Sequence, residues 1–135
     1  MIKQTKDVES LTEVQLDNGL RITDLRIGGG EKPPPGYLVV VNVVGRFKGV
    51  TFEDTGSSGK PLVFLFGRSS RQASSLCEGA VLALATMKAG GKRLVKVPPP
   101  LAFKEGYRGP IGVEVLPGEE LEYEIELVRV SIPPS

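Results

Sequence analysis

Cys77-Glu78-Gly79-Ala80, Met87-Lys88-Ala89-Gly90-Gly91-Lys92-Arg93 and Val97-Pro98-Pro99-Pro100-Leu101-Ala102-Phe103 decide the fold of this 135-residue chain. Leu76, Ala80, Leu84 and Met87 recur at helical spacing, with Ala83 on the same face, which predicts one short amphipathic helix. Gly90 stands where a helix takes its left-handed C-cap, and Lys88 complements the negative helix end. Leu94, Val95 and Val97 continue as a strand that three prolines stop, and the loop beyond closes on Phe103. A helix edge, a strand end and an aromatic loop then surround one shallow apolar hollow, of a size for a proline ring.

Working outward, the polar first residues carry no periodicity and are expected to form a flexible arm over 1–12, with one domain over 13–135. Val14 and Leu16, then Asp17-Asn18-Gly19, then Leu20 and Ile22 read as strand, tight turn, strand, because Asn-Gly tolerates the positive φ of a hairpin turn. Gly28-Gly29-Gly30 and Pro33-Pro34-Pro35-Gly36 break regular structure. Tyr37 to Phe47 is nearly continuous β-branched sequence and suits a central strand, with Asn42 as an edge-facing polar residue. Phe52 to Lys60 is expected to be a polar loop, Pro61 to Phe66 a strand, and Arg68 to Ser75 an exposed loop.

In the last strand Leu121, Tyr123, Ile125 and Leu127 alternate with Glu122, Glu124 and Glu126, which reads as one dry and one wet face. The apolar parity then shifts to Val128, Val130 and Ile132, predicting a bulge near Leu127. The expected architecture is α+β: a curved antiparallel sheet of five to six strands wrapped around one short helix.

The absences narrow the chemistry. There is no histidine and one cysteine, Cys77, so Cys/His zinc sites, Ser-His-Asp and Cys-His nucleophiles and an intrachain disulfide are all excluded. A net charge of +1 gives no nucleic-acid footprint. No apolar run approaches the ~18 residues of a membrane span. Gly56-Ser57-Ser58-Gly59-Lys60-Pro61 lacks the spacer of a phosphate loop, and Pro61 stands where the metal-binding hydroxyl belongs. Lys88, Lys92, Arg93 and Lys96 read as a solvated basic rim, and Cys77 as a small buried hydrophobe.

In this order, Val43-Val44-Gly45, Phe52-Glu53, Lys60 to Gly67, Met87 to Arg93, Val97-Pro98-Pro99 and Leu121-Glu122-Tyr123 resemble the FKBP-type peptidyl-prolyl cis–trans isomerases, over roughly Leu16 to Val130. Leu76-Cys77-Glu78-Gly79 and Val130-Ser131-Ile132 are most similar to chloroplast members from plants and algae. The resemblance implies a folding helper that needs no cofactor and no metal. A barrier of ~18–20 kcal/mol set by amide resonance is lowered by a dry cup that favours the twisted amide. A hydrogen bond toward that amide adds to the effect.

Carried over by resemblance, Phe52, Glu53, Phe103 and Tyr123 are the catalytic set. Glu53 stands for an aspartate, Phe103 for a tyrosine and Tyr123 for a phenylalanine. Val43, Leu62, Leu76, Cys77, Ala80 and Leu116 make the substrate-binding wall. Val43 and Leu62 stand for aromatics, and Ala80 for the tryptophan floor, so Ala80→Trp is expected to restore activity. Two readings follow: a weak isomerase acting on proline-containing polypeptides, or a non-catalytic assembly factor or subunit of a photosynthetic complex. Ile111, Val113, Val115 and Leu116 either anchor such a partner or cap the cup internally. The implied setting is the chloroplast, thylakoid lumen or stroma, for a chain that is a monomer on its own.

Overall fold

A computed structural model of the chain describes residues 5–67 and 75–132. Most of the exposed loop expected over Arg68–Ser75 lies outside the described residues.

Among the described residues, ten strands and two α-helices follow one another as β1 (Lys6–Asp7), β2 (Glu13–Gln15), β3 (Arg21–Ile27), β4 (Leu38–Phe47), β5 (Val50–Asp54), α1 (Thr55–Ser58), β6 (Leu62–Leu65), α2 (Glu78–Leu84), β7 (Lys92–Val97), β8 (Tyr107–Arg108), β9 (Glu114–Val115) and β10 (Leu121–Ser131). The main sheet runs β1-β3-β7-β10-β4-β5, with β2 added beside β3 and β6 beside β4. Every described pairing is antiparallel. Six strands of this sheet reach four residues or more, and with α2 they make the α+β architecture expected from the sequence.

The alternation in β10 does what its sequence implies. Leu121, Tyr123, Ile125 and Leu127 are buried, while Glu124 and Glu126 face outward and meet Lys92 at 3.3 Å and Arg26 at 2.6 Å. The register against β4 slips between Leu127 and Arg129, which leaves Val128 as the exposed bulge. The Asn18-Gly19 turn joins β2 to β3, with Gly19 at φ +95°.

Helix α2 lies on the inner face of the sheet and buries Gly79, Ala80, Ala83 and Leu84. Its approach is close: a Cβ on Gly79 would come within 2.6 Å of the Val97 side chain, so glycine sets the helix–sheet distance.

Five sequence expectations differ from the structure. Lys6 and Asp7, placed in a flexible arm, pair with Ile27 and Arg26, and Val8 donates its N–H to the Leu25 carbonyl at 3.0 Å. The backbone of β3 offers an unfilled edge there, which polar residues satisfy as well as apolar ones. The helix is C-capped at Ala85 rather than Gly90, and the Ala83 carbonyl near its end is taken by a side chain described below. Gly90 instead adopts φ +94° in the turn into β7, donating to the Leu127 carbonyl at 2.7 Å.

The polar loop expected from Phe52 begins as the end of β5, then becomes α1, N-capped by the Asp54 carboxylate accepting from the Ser57 N–H at 3.1 Å. Asn42, expected at an edge, lies in the central strand β4, where its side-chain oxygen accepts from the Thr55 hydroxyl at 2.9 Å. That hydroxyl also accepts from the Val43 N–H at 2.9 Å.

The fifth difference is Arg93. Strand period two puts Arg93 on the inner face with Val95 and Val97, and it is only 8% exposed. Its guanidinium donates to Asp24 Oδ1 at 2.7 Å, to the Ala83 carbonyl at 2.8 Å and to Thr86 Oγ1 at 2.6 Å. One planar fork thus caps the C-terminal end of α2 and ties it to β3.

A closed aromatic cup as candidate functional site

Phe52 comes from β5 and is fully buried, its ring ringed by four others. Phe47, Phe103, Tyr107 and Tyr123 lie at centroid distances of 6.3, 6.1, 6.1 and 5.7 Å, the last three edge-on. Edge-to-face contact at this spacing is the favoured arrangement for aromatic quadrupoles. Gly45 of β4 makes room, since a Cβ there would fall 2.6 Å from the Phe52 ring.

Tyr123 reaches the cup from the inner face of β10, and Phe103 follows the 3-10 turn Pro99–Leu101. Leu76 and Cys77 lead into α2 and are buried with Ala80 and Val43. Leu62 is half-buried against the same core. The structure therefore gathers Phe52, Phe103 and Tyr123 in one cluster.

Leu116 does not join it: its side chain is 53% exposed, with Ile111 at 48%. Val115 is fully buried and Val113 packs on the core, so the apolar loop residues divide between an inward pair and an outward pair.

The residue that sequence reading missed is Tyr107. It stacks on Phe103 at 4.6 Å with an interplanar angle of 14°, and its hydroxyl donates to Glu53 Oε1 at 3.2 Å. Burial pushes the Glu53 carboxyl up from the ordinary carboxylate range, and the Tyr107 bond opposes that shift. Burial likewise raises the Tyr107 phenol. Tyr107 stands in a stretch of sequence without periodicity, so the only available signal is an aromatic four residues after Phe103.

Among the described residues the buried Tyr123 hydroxyl has no hydrogen-bond partner, and it lies near the Cys77 thiol. Burial raises the Cys77 thiol above its ordinary pKa, so the protonated form prevails and Cys77 packs as an apolar side chain. An unpartnered buried hydroxyl costs free energy, and phenylalanine has nearly the same shape. Tyr123→Phe should therefore stabilise the chain by about 1 kcal/mol, read as a higher urea midpoint at unchanged slope.

Ala80 is 0% exposed. The sequence expectation that Ala80→Trp rebuilds a floor does not fit this packing, since an indole has no open space to enter. The substitution should instead destabilise by about 1–3 kcal/mol or more through overpacking, seen as a lower melting temperature with no gain in activity.

Among the described residues no group of three or more His, Cys, Asp or Glu side chains is placed to hold a metal ion. The cup is apolar, with one buried carboxylate and two phenol hydroxyls, which suits desolvating and gripping an apolar ring rather than acid–base chemistry on it.

The comparisons agree with this geometry. The family model described as FKBP-type peptidyl-prolyl cis-trans isomerase matches residues 29–128. The chain is 42% identical over 142 residues to the chloroplastic peptidyl-prolyl cis-trans isomerase FKBP17-2 of Arabidopsis thaliana, covering 99% of this chain and 57% of that protein. It is 40% identical over 130 residues to the chloroplastic FKBP17-3 of the same plant, covering 93% of this chain and 55% of that protein. The chain thus spans a little over half the length of these relatives.

Among solved structures it is similar to AtFKBP13, with a TM-score of 0.73 and 27% identity over 87% of this chain and 98% of that one. It is also similar to FkpA from Escherichia coli, with a TM-score of 0.72 and 28% identity over 93% of this chain and 55% of that one. The matched span holds the aromatic cup, the buried carboxylate and α2, and the chain belongs to the FKBP-type peptidyl-prolyl cis–trans isomerase family.

Proposed function

We propose that this chain isomerises Xaa-Pro bonds slowly, with a cup that its own side chains fill. The observation carrying this reading is that Phe52, Tyr123 and Ala80 expose no surface to solvent. The proposed catalytic set is Phe52, Glu53, Phe103 and Tyr123, with Val43, Leu62, Leu76, Cys77 and Ala80 walling the proline ring. Leu116, outside the cup, is proposed to touch the client chain beyond the proline.

The magnitude follows from what is missing. A methyl in place of an indole removes well over ~100 Å² of contact, worth on the order of 2–3 kcal/mol of apolar burial. Phe103 lacks a hydroxyl to hold the twisted amide, about another 1 kcal/mol. Together these lower kcat/KM by ~100-fold or more relative to a family member with the full aromatic set.

A second reading is favoured by the outward Ile111 and Leu116 beside a closed cup. In it the domain is a non-catalytic assembly factor or a subunit of a photosynthetic complex, with those two side chains as anchors. For either reading, the chloroplast location in the relatives' names supports a chloroplast setting. The compartment is proposed to be the thylakoid lumen or the stroma, and the chain to be monomeric by itself and to bind no nucleic acid.

A Leu-Pro peptide assay distinguishes the two. The isomerase reading expects catalysis that is measurable and about 100-fold below an ordinary family member. Catalysis at the ordinary rate would sink the filled-cup argument. No catalysis at all, together with a stoichiometric protein partner retained from chloroplast membranes, would favour the second reading.

A further inference from the structure

We infer that Tyr107 is a built-in gate of the cup, a side chain that occupies the place of an incoming ring and must be displaced before the cup can be entered. This rests on the isomerase reading of the same cup. Tyr107 lies edge-on to Phe52 at 6.1 Å, and its hydroxyl binds Glu53, so it engages two of the residues assigned to substrate. One phenol ring therefore engages the carboxylate at the end of β5 and the rings of Phe52 and Phe103 together.

The support behind Tyr107 is built for movement. Strands β8 and β9 form a two-residue ribbon that is not part of the main sheet, pairing only Tyr107 with Val115 and Arg108 with Glu114. The buried Val115 anchors that ribbon from the far strand. Rotation of the Tyr107 side chain thus needs no strand of the main sheet to break. Among the described residues, what holds its side chain shut is one hydrogen bond to a carboxylate, one ring stack on Phe103 and one edge contact with Phe52. Closed and open forms then differ by little, and the population of the open form scales the apparent affinity of anything that enters.

Cys77 is the only cysteine, is buried, and lies beside Tyr123 of the cup, so under the gate its labelling by a thiol reagent reports opening. Tyr107→Phe removes the hydroxyl and keeps the ring; Tyr107→Ala removes both. Labelling should rise about fivefold in the first, the equivalent of one lost hydrogen bond, and at least about tenfold in the second. The rise should be insensitive to sub-denaturing urea, because a local opening exposes little surface. Under the gate, kcat/KM on a Leu-Pro peptide increases in parallel.

Labelling within twofold of the unmodified chain in both variants overturns the gate. So does a rise confined to Tyr107→Ala that steepens with urea as global unfolding does. Faster labelling with peptide turnover still at the uncatalysed rate leaves the gate standing and removes the isomerase reading instead.

Discussion

Phe52→Ala should cost about 3–5 kcal/mol of folding stability, measured as a lower urea midpoint at unchanged slope. The ring is wholly buried and touches four other rings, so its removal leaves a cavity that Phe103 and Tyr107 cover from above. Gly45 cannot close that gap from the opposite side, having no side chain. A typical domain is stable by only about 5–15 kcal/mol, so this one substitution takes a large share of the total. A loss under about 1 kcal/mol would mean that the cup was open to water from the start.

Arg93→Met should cost about 2–4 kcal/mol, somewhat less than a fully buried broken ion pair because Asp24 is partly exposed and regains water. The methionine keeps the apolar stem while removing the donors to Ala83, Thr86 and Asp24. The Ala83 carbonyl ends a helix and is left without that partner. Hydrogen exchange should therefore quicken in α2 more than in β10, and equal protection in both would show that Arg93 does not anchor the helix.

The surface pairs predict the opposite. Lys48–Glu119 at 3.2 Å and Lys96–Glu13 at 3.2 Å join exposed or half-exposed side chains, where solvent and salt leave little net stabilisation.

What the sequence made legible and what it hid follow from the range of each signal. Period-two alternation exposed the long strands, and its change of parity located the bulge at Val128 within a residue. Helical spacing placed Ala80, Ala83, Leu84 and Met87 in the core, but it could not mark the end of α2. That end is set by Arg93, ten residues beyond Ala83 in the chain.

Reading Arg93 by its charge put it at a solvated rim. Reading it by parity with Val95 and Val97 would have put it inside, since strand geometry outranks residue type when a partner such as Asp24 lies opposite. Lys6 and Asp7 carried no apolar signal because backbone pairing alone recruits them.

Motif order brought Phe52, Phe103 and Tyr123 together, and the structure gathers them in one cluster. Motif order said nothing of Tyr107, a residue with no periodicity and no place in the carried-over set. Its role is visible only once distances to Phe52, Phe103 and Glu53 exist. The same is true of the space above Ala80, which reads as vacant when one counts missing aromatics and as filled when burial is measured.

Ring-to-ring nuclear Overhauser effects in the ligand-free chain test the central claim most directly. A cup packed shut by its own side chains gives cross-peaks from the Phe52 ring to the rings of both Tyr107 and Tyr123. A spectrum in which Tyr107 shows no contact with Phe52, and Phe52 instead exchanges magnetisation with water, contradicts it.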